Sequence, residues 1–204
     1  MAPLSLPITP RRRTKLLLAA IAAVAALGVA ALTLIAPNLT VEPGGSSQSA
    51  PLSPGLHLWD SARSLPDAGF TDGAGHQMGL SGYRGKVVLV NFWATWCEPC
   101  KLEMPSLLRL QQKLGDKDFA VVAISGDQTG AEAVEPFLKQ NDLTALNILY
   151  DANLASANIW GVKGLPTTIL LNREGQEIGR AEGGLAWDTP DIEGQIEAKI
   201  KAAP

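Results

Sequence analysis

The sequence predicts one α/β domain with a mixed β-sheet, extending from about residue 56 to residue 204. Two apolar runs rich in β-branched residues, Val87–Trp93 and Phe119–Ser125, have the composition of strands that are buried on both faces of a parallel sheet. A helical pattern follows each run, and this alternation of strand and helix is typical of α/β folds. At 204 residues and 46% apolar content, the chain is long enough to bury one such core.

The elements on either side of these strands follow from turn residues and apolar spacing. Dense turn residues between Leu56 and Tyr83 predict a β-hairpin or edge strands, which form an N-terminal β extension. Cys97 to Leu114 has the apolar stripe of an amphipathic helix, and Gly115 follows it at the position of a cap. The remaining predicted elements are helix 131–140, strand 146–150, short helix 153–160, strand 167–172, strand 177–182 and a last helix that Thr189, Pro190 and Asp191 begin. The final hairpin is expected to supply an antiparallel edge to the sheet.

The N-terminal third predicts a membrane anchor followed by a linker. Residues 1–15 are basic, and residues 16–36 are almost entirely apolar, which is long enough to span a hydrocarbon core of roughly 30 Å. The basic cluster favours a cytoplasmic N-terminus, with the rest of the chain across the membrane. A cleaved signal peptide, with small residues at Ala30 and Ala31, is the alternative interpretation, and a buried soluble helix is a weaker one.

Residues 37–55 are rich in Pro, Gly and Ser, which predicts a flexible linker ahead of the domain at 56–204. The domain carries 13 basic and 19 acidic residues, a net charge near −6. Its basic residues are scattered rather than clustered, so nucleic acid is not an expected partner.

The two cysteines of the chain, Cys97 and Cys100, are separated by two residues at the start of a predicted helix. The positive end of the helix dipole and the free backbone N–H groups favour the Cys97 thiolate, which is the form that attacks disulfides. Cys100 lies three residues further along the helix and is the expected resolving thiol. Pro99 stiffens the loop between them.

Two other interpretations of this pair remain. Half of a zinc site is one, although the two histidines, His57 and His76, lack ligand spacing and are expected at the surface. Two inert buried thiols are the other, and the turn placement after a buried strand disfavours it. No metal is therefore expected.

The segment from Phe92 to Cys100, with Glu103, Met104 and Pro105 after it, resembles the membrane-anchored thioredoxin-like proteins of the TlpA and ResA group. The similarity extends over most of Leu56 to Lys201. It implies a thioredoxin fold with an N-terminal β extension and a central strand-helix insert. It also implies that Pro166 is a cis-proline beside the disulfide, and that it forms a substrate loop with Leu165 and Thr167. Trp96, Glu98 and Pro99 would complete the surface that meets an incoming peptide strand.

Proton handling is expected to differ from that of ordinary thioredoxins. Those proteins carry a buried aspartate six residues before the first cysteine, whereas this chain has Asn91, which does not titrate. Glu103 is one helical turn beyond Cys100, and partial burial would raise its pKa toward the working pH. The resemblance agrees, since the group commonly has a glutamate there; an ordinary exposed helix glutamate is the alternative.

Glu98, between the cysteines, should oppose a thiolate on Cys97 and favour the disulfide form of the pair. We therefore expect a reducing couple, with a potential nearer about −270 mV than about −120 mV.

Together these features predict a thiol:disulfide oxidoreductase on the periplasmic side of the cytoplasmic membrane. It is expected to reduce disulfides in exported proteins, in cytochrome c maturation or in copper-site assembly for cytochrome oxidase. The expected electron donor is a membrane thiol carrier, and no cofactor is expected beyond the redox-active Cys97–Cys100 disulfide, because no dinucleotide fingerprint follows a strand. A thiol peroxidase of related fold is one alternative, although Ala94 occupies the place of its usual threonine. A non-enzymatic copper-binding or assembly module that uses both thiols as soft ligands is the other.

Overall fold

The computed structural model describes residues 55–202. The predicted basic N-terminus, the predicted anchor at 16–36 and the predicted linker up to residue 54 lie outside the described residues. Across residues 55–202, no helix combines the length and the apolar character that crossing a membrane requires.

The described residues form eight strands and four α-helices. In chain order these are β1 (His57–Arg63), β2 (Phe70–Thr71), β3 (Gln77–Met78), β4 (Val87–Trp93), α1 (Glu98–Leu114), β5 (Phe119–Ser125), α2 (Ala131–Gln140), β6 (Asn147–Tyr150), α3 (Ala155–Ile159), β7 (Thr167–Leu171), β8 (Glu177–Glu182) and α4 (Pro190–Lys201). The central elements lie within one or two residues of their predicted bounds. Their apolar patterns are long and regular, which is the case in which periodicity is most informative.

One mixed sheet contains all eight strands, in the order β1-β8-β7-β4-β5-β6-β2-β3. β4, β5 and β6 are parallel, whereas β7 pairs antiparallel with β4 and β8 pairs antiparallel with β7. The units β4-α1-β5 and β7-β8-α4 form the expected thioredoxin arrangement. α2 and β6 form the central insert, and they extend the parallel part of the sheet.

The expectation that the final hairpin forms a sheet edge is wrong. β1 pairs antiparallel with the outer side of β8, with His57 opposite Arg180, so the N-terminal extension covers the hairpin. At the opposite end of the sheet, the short β2–β3 hairpin pairs with β6. The segment before residue 83 therefore supplies strands to both edges, and it satisfies backbone groups that the hairpin alone would leave unpaired.

The sheet separates two apolar clusters. Side chains of α1, α2 and α4 pack on one face against Leu89 and Trp93 of β4. On the other face, Trp160 makes edge-to-face contacts with Phe70 and Phe92, with ring centroids 5.9 Å apart in each pair. Because side chains alternate along a strand, Asn91 points to the same face as Leu89 and Trp93, where α1 lies.

Candidate active site

Cys97 and Cys100 form a disulfide at the start of α1, with an S–S distance of 2.00 Å and a Cα–Cα distance of 5.3 Å. Cys97 is the N-cap residue, and its backbone carbonyl accepts a hydrogen bond from the N–H of Lys101 at 3.2 Å. Its side chain is therefore at the positive end of the α1 dipole, as the sequence predicted. Cys97 retains 5% of its exposure and Cys100 retains none, so Cys97 is the outer sulfur.

The turn that leads into the disulfide is held by a buried carboxylate from the end of β5. Asp127 accepts the backbone N–H of Thr95 at 2.9 Å and the Thr95 hydroxyl at 2.6 Å. A third hydrogen bond comes from the hydroxyl of Ser125, at 2.8 Å. Asp127 thereby links the turn after β4 to the end of β5, at the carboxyl ends of these two parallel strands, where the cysteines lie. Sequence reasoning missed this residue, because the only signal was an acidic residue shortly after a buried strand.

The peptide bond between Leu165 and Pro166 is cis, as the resemblance implied. The Pro166 carbonyl accepts the N–H of Gly183 at 2.9 Å, and the Thr167 hydroxyl donates to the Gly164 carbonyl at 2.7 Å. A side chain at Gly184 would lie 3.2 Å from the backbone carbonyl oxygen of Pro99. The segment just after β8 therefore connects the cis-proline loop to the backbone between the two cysteines.

Glu103 is buried, with 3% of its surface exposed, and its carboxylate has three hydrogen-bond donors. Its Oε1 accepts from Nδ2 of Asn91 at 2.8 Å. Its Oε2 accepts from the backbone N–H of Leu185 and from Nε1 of Trp187, each at 3.0 Å. The alternative of an ordinary exposed helix glutamate is thereby excluded.

Burial raises the pKa of Glu103 above its ordinary value, because removal from water disfavours the charged form. Hydrogen bonds from Leu185, Trp187 and Asn91 act in the opposite direction, since each of them stabilises the carboxylate. The net direction is upward, which moves this carboxyl toward the range where it can exchange a proton near neutral pH.

The segment 183–189, which we call the β8–α4 loop, is attached to α1 by further contacts. The Ser106 hydroxyl accepts the backbone N–H of Trp187 at 3.1 Å, and Nε of Arg109 donates to Asp188 at 2.6 Å. Between this loop and α1 runs a groove of about 380 Å³ that Glu103, Ser106 and Arg109 line together with loop residues. Glu103 therefore lies in the wall of a groove that opens to solvent.

The surface around the disulfide exposes two large apolar side chains, Trp96 at 66% and Leu102 at 75%. Glu98 is also exposed, and its carboxylate forms an ion pair with Nζ of Lys101 at 2.5 Å. In the sequence, the charge of Glu98 was the only feature that favoured a reducing couple. Because Lys101 partly neutralises that charge, the effect on Cys97 is smaller than the sequence suggested.

The structure brings together Cys97, Cys100 and Glu103 on α1 with Leu165–Thr167 on the cis-proline loop. Trp187 also belongs to this group, although sequence reasoning assigned it no role. One general signal was available, because a buried indole N–H usually has a hydrogen-bond partner. The identity of that partner depends on a contact between residues 84 positions apart.

Comparison with known proteins agrees with this geometry. The Redoxin family model matches residues 60–196. Thiol-disulfide oxidoreductase ResA from Bacillus thuringiensis subsp. konkukian (strain 97-27) is 35% identical over 121 residues, which cover 59% of this chain and 69% of that protein. Thioredoxin-like protein YneN from Bacillus subtilis (strain 168) is 38% identical over 112 residues, which cover 54% of this chain and 64% of that protein.

Among solved structures, one from Chlorobium tepidum, described as a thiol:disulfide interchange protein DsbE, aligns with a TM-score of 0.61 and 32% identity. The alignment covers 69% of this chain and 98% of that one. A DsbF homologue from Corynebacterium diphtheriae aligns with a TM-score of 0.58 and 26% identity, over 71% of this chain and 96% of that one. Both alignments support the thioredoxin-like fold described above.

Proposed function

Since this chain belongs to the Redoxin family, as a thioredoxin-like thiol-disulfide oxidoreductase of the ResA and TlpA type, we propose that it works as a reductant of disulfides in exported proteins. Cys97 is the attacking thiol and Cys100 is the resolving thiol. Glu103 takes up the proton of the second thiol.

The observation that carries the proposal is the placement of Glu103 relative to the two sulfurs. The carboxyl follows Cys100 by one turn of α1, on the buried side of the helix, whereas Cys97 is at the outer end. A thiol with no exposed surface cannot give its proton directly to water, so it needs a buried acceptor. Glu103 is such an acceptor, because its pKa is raised by burial and its groove leads to solvent.

The reaction begins with the dithiol form of the protein. The Cys97 thiolate attacks a substrate disulfide, a mixed disulfide forms, and one substrate thiol leaves with a proton from solvent. Cys100 then gives its proton to Glu103 and attacks the Cys97 sulfur. The bond between Cys97 and the substrate breaks, and the second substrate thiolate leaves and takes up a proton. The protein ends as the disulfide that the structure contains, and an external dithiol must reduce it again.

The cis-proline loop and the apolar rim give an incoming peptide a place to bind. Leu165 and Thr167 flank Pro166 beside the disulfide, and the exposed Trp96 offers a flat aromatic surface. We assign substrate positioning to these residues together with Glu98 and Pro99, with the peptide extended alongside the loop.

The proposed location is the periplasmic face of the cytoplasmic membrane, with residues 16–36 as a single-pass anchor. It is supported by the apolar length of that segment and by the basic cluster before it. The proposed substrates are proteins of cytochrome c maturation or of copper-site assembly, and the proposed electron donor is a membrane thiol carrier. The resemblance to the TlpA and ResA group supports both assignments.

A covalent trapping experiment tests the proposal. Cys100→Ala in the full chain removes the resolving thiol, so a substrate that Cys97 attacks stays attached. We expect exported proteins to be recovered as mixed disulfides that thiol reductants release. The matched control is the double variant Cys97→Ala with Cys100→Ala, which should trap nothing. A folded Cys100→Ala protein that traps no exported protein would contradict the proposal.

A further inference from the structure

Asn91 is a buried amide in a strand that is otherwise apolar. It lies in the middle of β4, has no exposed surface, and points to the face that α1 covers. Its Nδ2 donates to Oε1 of Glu103 at 2.8 Å and to Oγ1 of Thr168 at 2.9 Å. Burying an amide at this position is unfavourable unless its polar atoms have hydrogen-bond partners.

Only one end of this amide has partners. Within residues 55–202, Oδ1 of Asn91 is buried and accepts no hydrogen bond. A buried acceptor without a donor is uncommon in folded proteins and is unfavourable by itself. The structure contains the disulfide form, in which neither cysteine carries a thiol hydrogen.

Reduction creates one new buried donor on this face of the sheet. When the disulfide opens, the Cys100 thiol has a hydrogen, and this residue has no exposed surface from which water could accept it. Cys100 belongs to the buried cluster on the sheet face to which Asn91 points, and Glu103, one turn beyond Cys100, is hydrogen-bonded to Asn91. A donor that exists only in the dithiol form would account for an acceptor that is unpaired in the disulfide form.

We propose that Asn91 is a positioning residue that joins the two ends of the proton transfer. Its Oδ1 accepts the Cys100 thiol hydrogen, directly or through one water, while its Nδ2 keeps Oε1 of Glu103 in place. This inference rests on the proposed assignment of Cys100 as the resolving thiol and Glu103 as its proton acceptor.

The two oxygens of Glu103 show which of them receives the proton. Oε2 already accepts two N–H groups, from Leu185 and Trp187, and has no lone pair left. Oε1 accepts only from Asn91 and has one lone pair free. In the resting dithiol the Cys100 thiol hydrogen is bonded to Oδ1 of Asn91; during resolution it turns to Oε1, which takes the proton. The Cys100 sulfur then bonds to the Cys97 sulfur, the bond between the Cys97 and substrate sulfurs breaks, and the substrate sulfur leaves as a thiolate.

The surroundings of Glu103 are otherwise nearly uncharged. Among the described residues that face it, α1 contributes the Cys100 thiol and, at the mouth of the groove, Arg109. The β8–α4 loop contributes Asp188, which is paired with Arg109. The strands contribute only Asn91 and the Thr168 hydroxyl. Loss of the Asn91 donor should therefore appear directly in the pH dependence of resolution, with no second titrating strand residue to obscure it.

The kinetic test separates the two chemical steps in the full chain, with glutathione disulfide as the oxidant. Asn91→Ala should leave formation of the Cys97 mixed disulfide within about twofold of wild type and slow its resolution roughly tenfold or more. The pH midpoint of resolution should rise, because a donor to the ionised carboxyl is lost. Thr168→Val is the matched control: it removes the other partner of Nδ2 and leaves the contact between Asn91 and Glu103 in place, so resolution should stay near wild type.

A purely structural role predicts a different outcome, in which both steps slow together or neither changes, and the pH midpoint stays fixed. Either result would overturn the proposal. If wild type itself formed no mixed disulfide, the proposed function would fail first, and the two failures are therefore distinguishable.

A second measurement does not depend on the folding of Asn91→Ala. In wild type labelled with ¹³C at asparagine, reduction should shift the side-chain carbonyl signal of Asn91, because Oδ1 gains a donor. Cys100→Ala lacks both the disulfide and the Cys100 thiol, so its signal should stay near that of the oxidised protein. Asn172, whose side-chain amide bonds to Gln176 in a turn away from the disulfide, should not shift in either case. Identical Asn91 signals in the reduced wild type and in Cys100→Ala would refute the proposed hydrogen bond.

Discussion

Replacing Glu103 with glutamine should separate proton transfer from structure more cleanly than any other single change. Glutamine has nearly the same shape, and its carbonyl oxygen can accept the two N–H groups that now bind Oε2. Its amide can donate to Oδ1 of Asn91 if the asparagine side chain turns over. The hydrogen-bonded framework can therefore survive, whereas proton uptake cannot.

The expected kinetic effect is large. General acid–base groups contribute typically 10²- to 10⁴-fold to a rate, so resolution of the mixed disulfide should slow by about that factor near neutral pH. Formation of the mixed disulfide should change little, because that step uses the outer thiol Cys97. In the pH profile of resolution, the transition that ionisation of Glu103 causes in wild type should be absent from the variant.

The same substitution is expected to slow the reaction but to increase the free energy of unfolding. Burial raises the folded-state pKa of Glu103 above its ordinary value of 4.5, so the folded protein holds this proton more tightly than the unfolded chain does. Wild-type stability should therefore fall as pH rises from about 4.5 through the folded pKa, and stay level above it. Each tenfold difference in proton affinity contributes about 1.4 kcal/mol. Because glutamine does not titrate, Glu103→Gln should gain stability relative to wild type across the same pH range.

Urea unfolding from pH 4 to 8 and stopped-flow kinetics with glutathione disulfide test this pair of expectations. Slower resolution of the mixed disulfide in Glu103→Gln, together with a free energy of unfolding that increases relative to wild type as the pH rises, would support a buried proton acceptor whose ionisation destabilises the fold. Wild-type resolution and an unchanged pH profile in the variant would refute the reasoning.

Three further predictions concern the neighbours of the site. Trp187→Phe removes a donor to the carboxylate of Glu103, so the pKa of that carboxyl should rise further and the midpoint of the activity–pH profile should move up. Asp127→Ala leaves three donors of the turn before the disulfide and of β5 without their acceptor, and urea unfolding should show a loss of about 2 to 4 kcal/mol; no loss would mean that water replaces the carboxylate fully. Lys101→Ala leaves the charge of Glu98 unneutralised, so titration of the thiolate ultraviolet absorbance should show a higher pKa for the attacking thiol, and a redox titration should show a more negative potential; stability should change by less than about 1 kcal/mol.

The parts of this protein that sequence predicted well are local ones. The apolar run of β4, the helix start after it and the pair of cysteines lie within a few residues of one another. The dipole and spacing arguments therefore needed no tertiary contact. The burial of Glu103 and the upward direction of its pKa shift were predicted, because its place on α1 followed from its distance from Cys100.

The parts that sequence reasoning missed depend on contacts between distant segments. Pairing of β1 with β8 joins strands more than a hundred residues apart, and nothing in the residues after Leu56 specifies that partner. Two of the three donors to Glu103 come from the β8–α4 loop, which looked like an ordinary connection in the sequence. Asp127 was missed for the same reason, since its importance comes from the neighbouring strand that ends beside it.

The hydrogen bonds of Glu103 also bear on the order in which the protein matures. The two cysteines are 3 residues apart, whereas the donors from Leu185 and Trp187 are 82 and 84 residues away from the carboxyl. Contacts over such separations close late, because long loops must first be ordered. A chain that emerges from N- to C-terminus thus has both thiols long before the segment that donates hydrogen bonds to Glu103, the proposed proton acceptor. A newly made molecule would therefore carry two reactive thiols before the carboxyl proposed to accept their proton has gained its hydrogen bonds from Leu185 and Trp187.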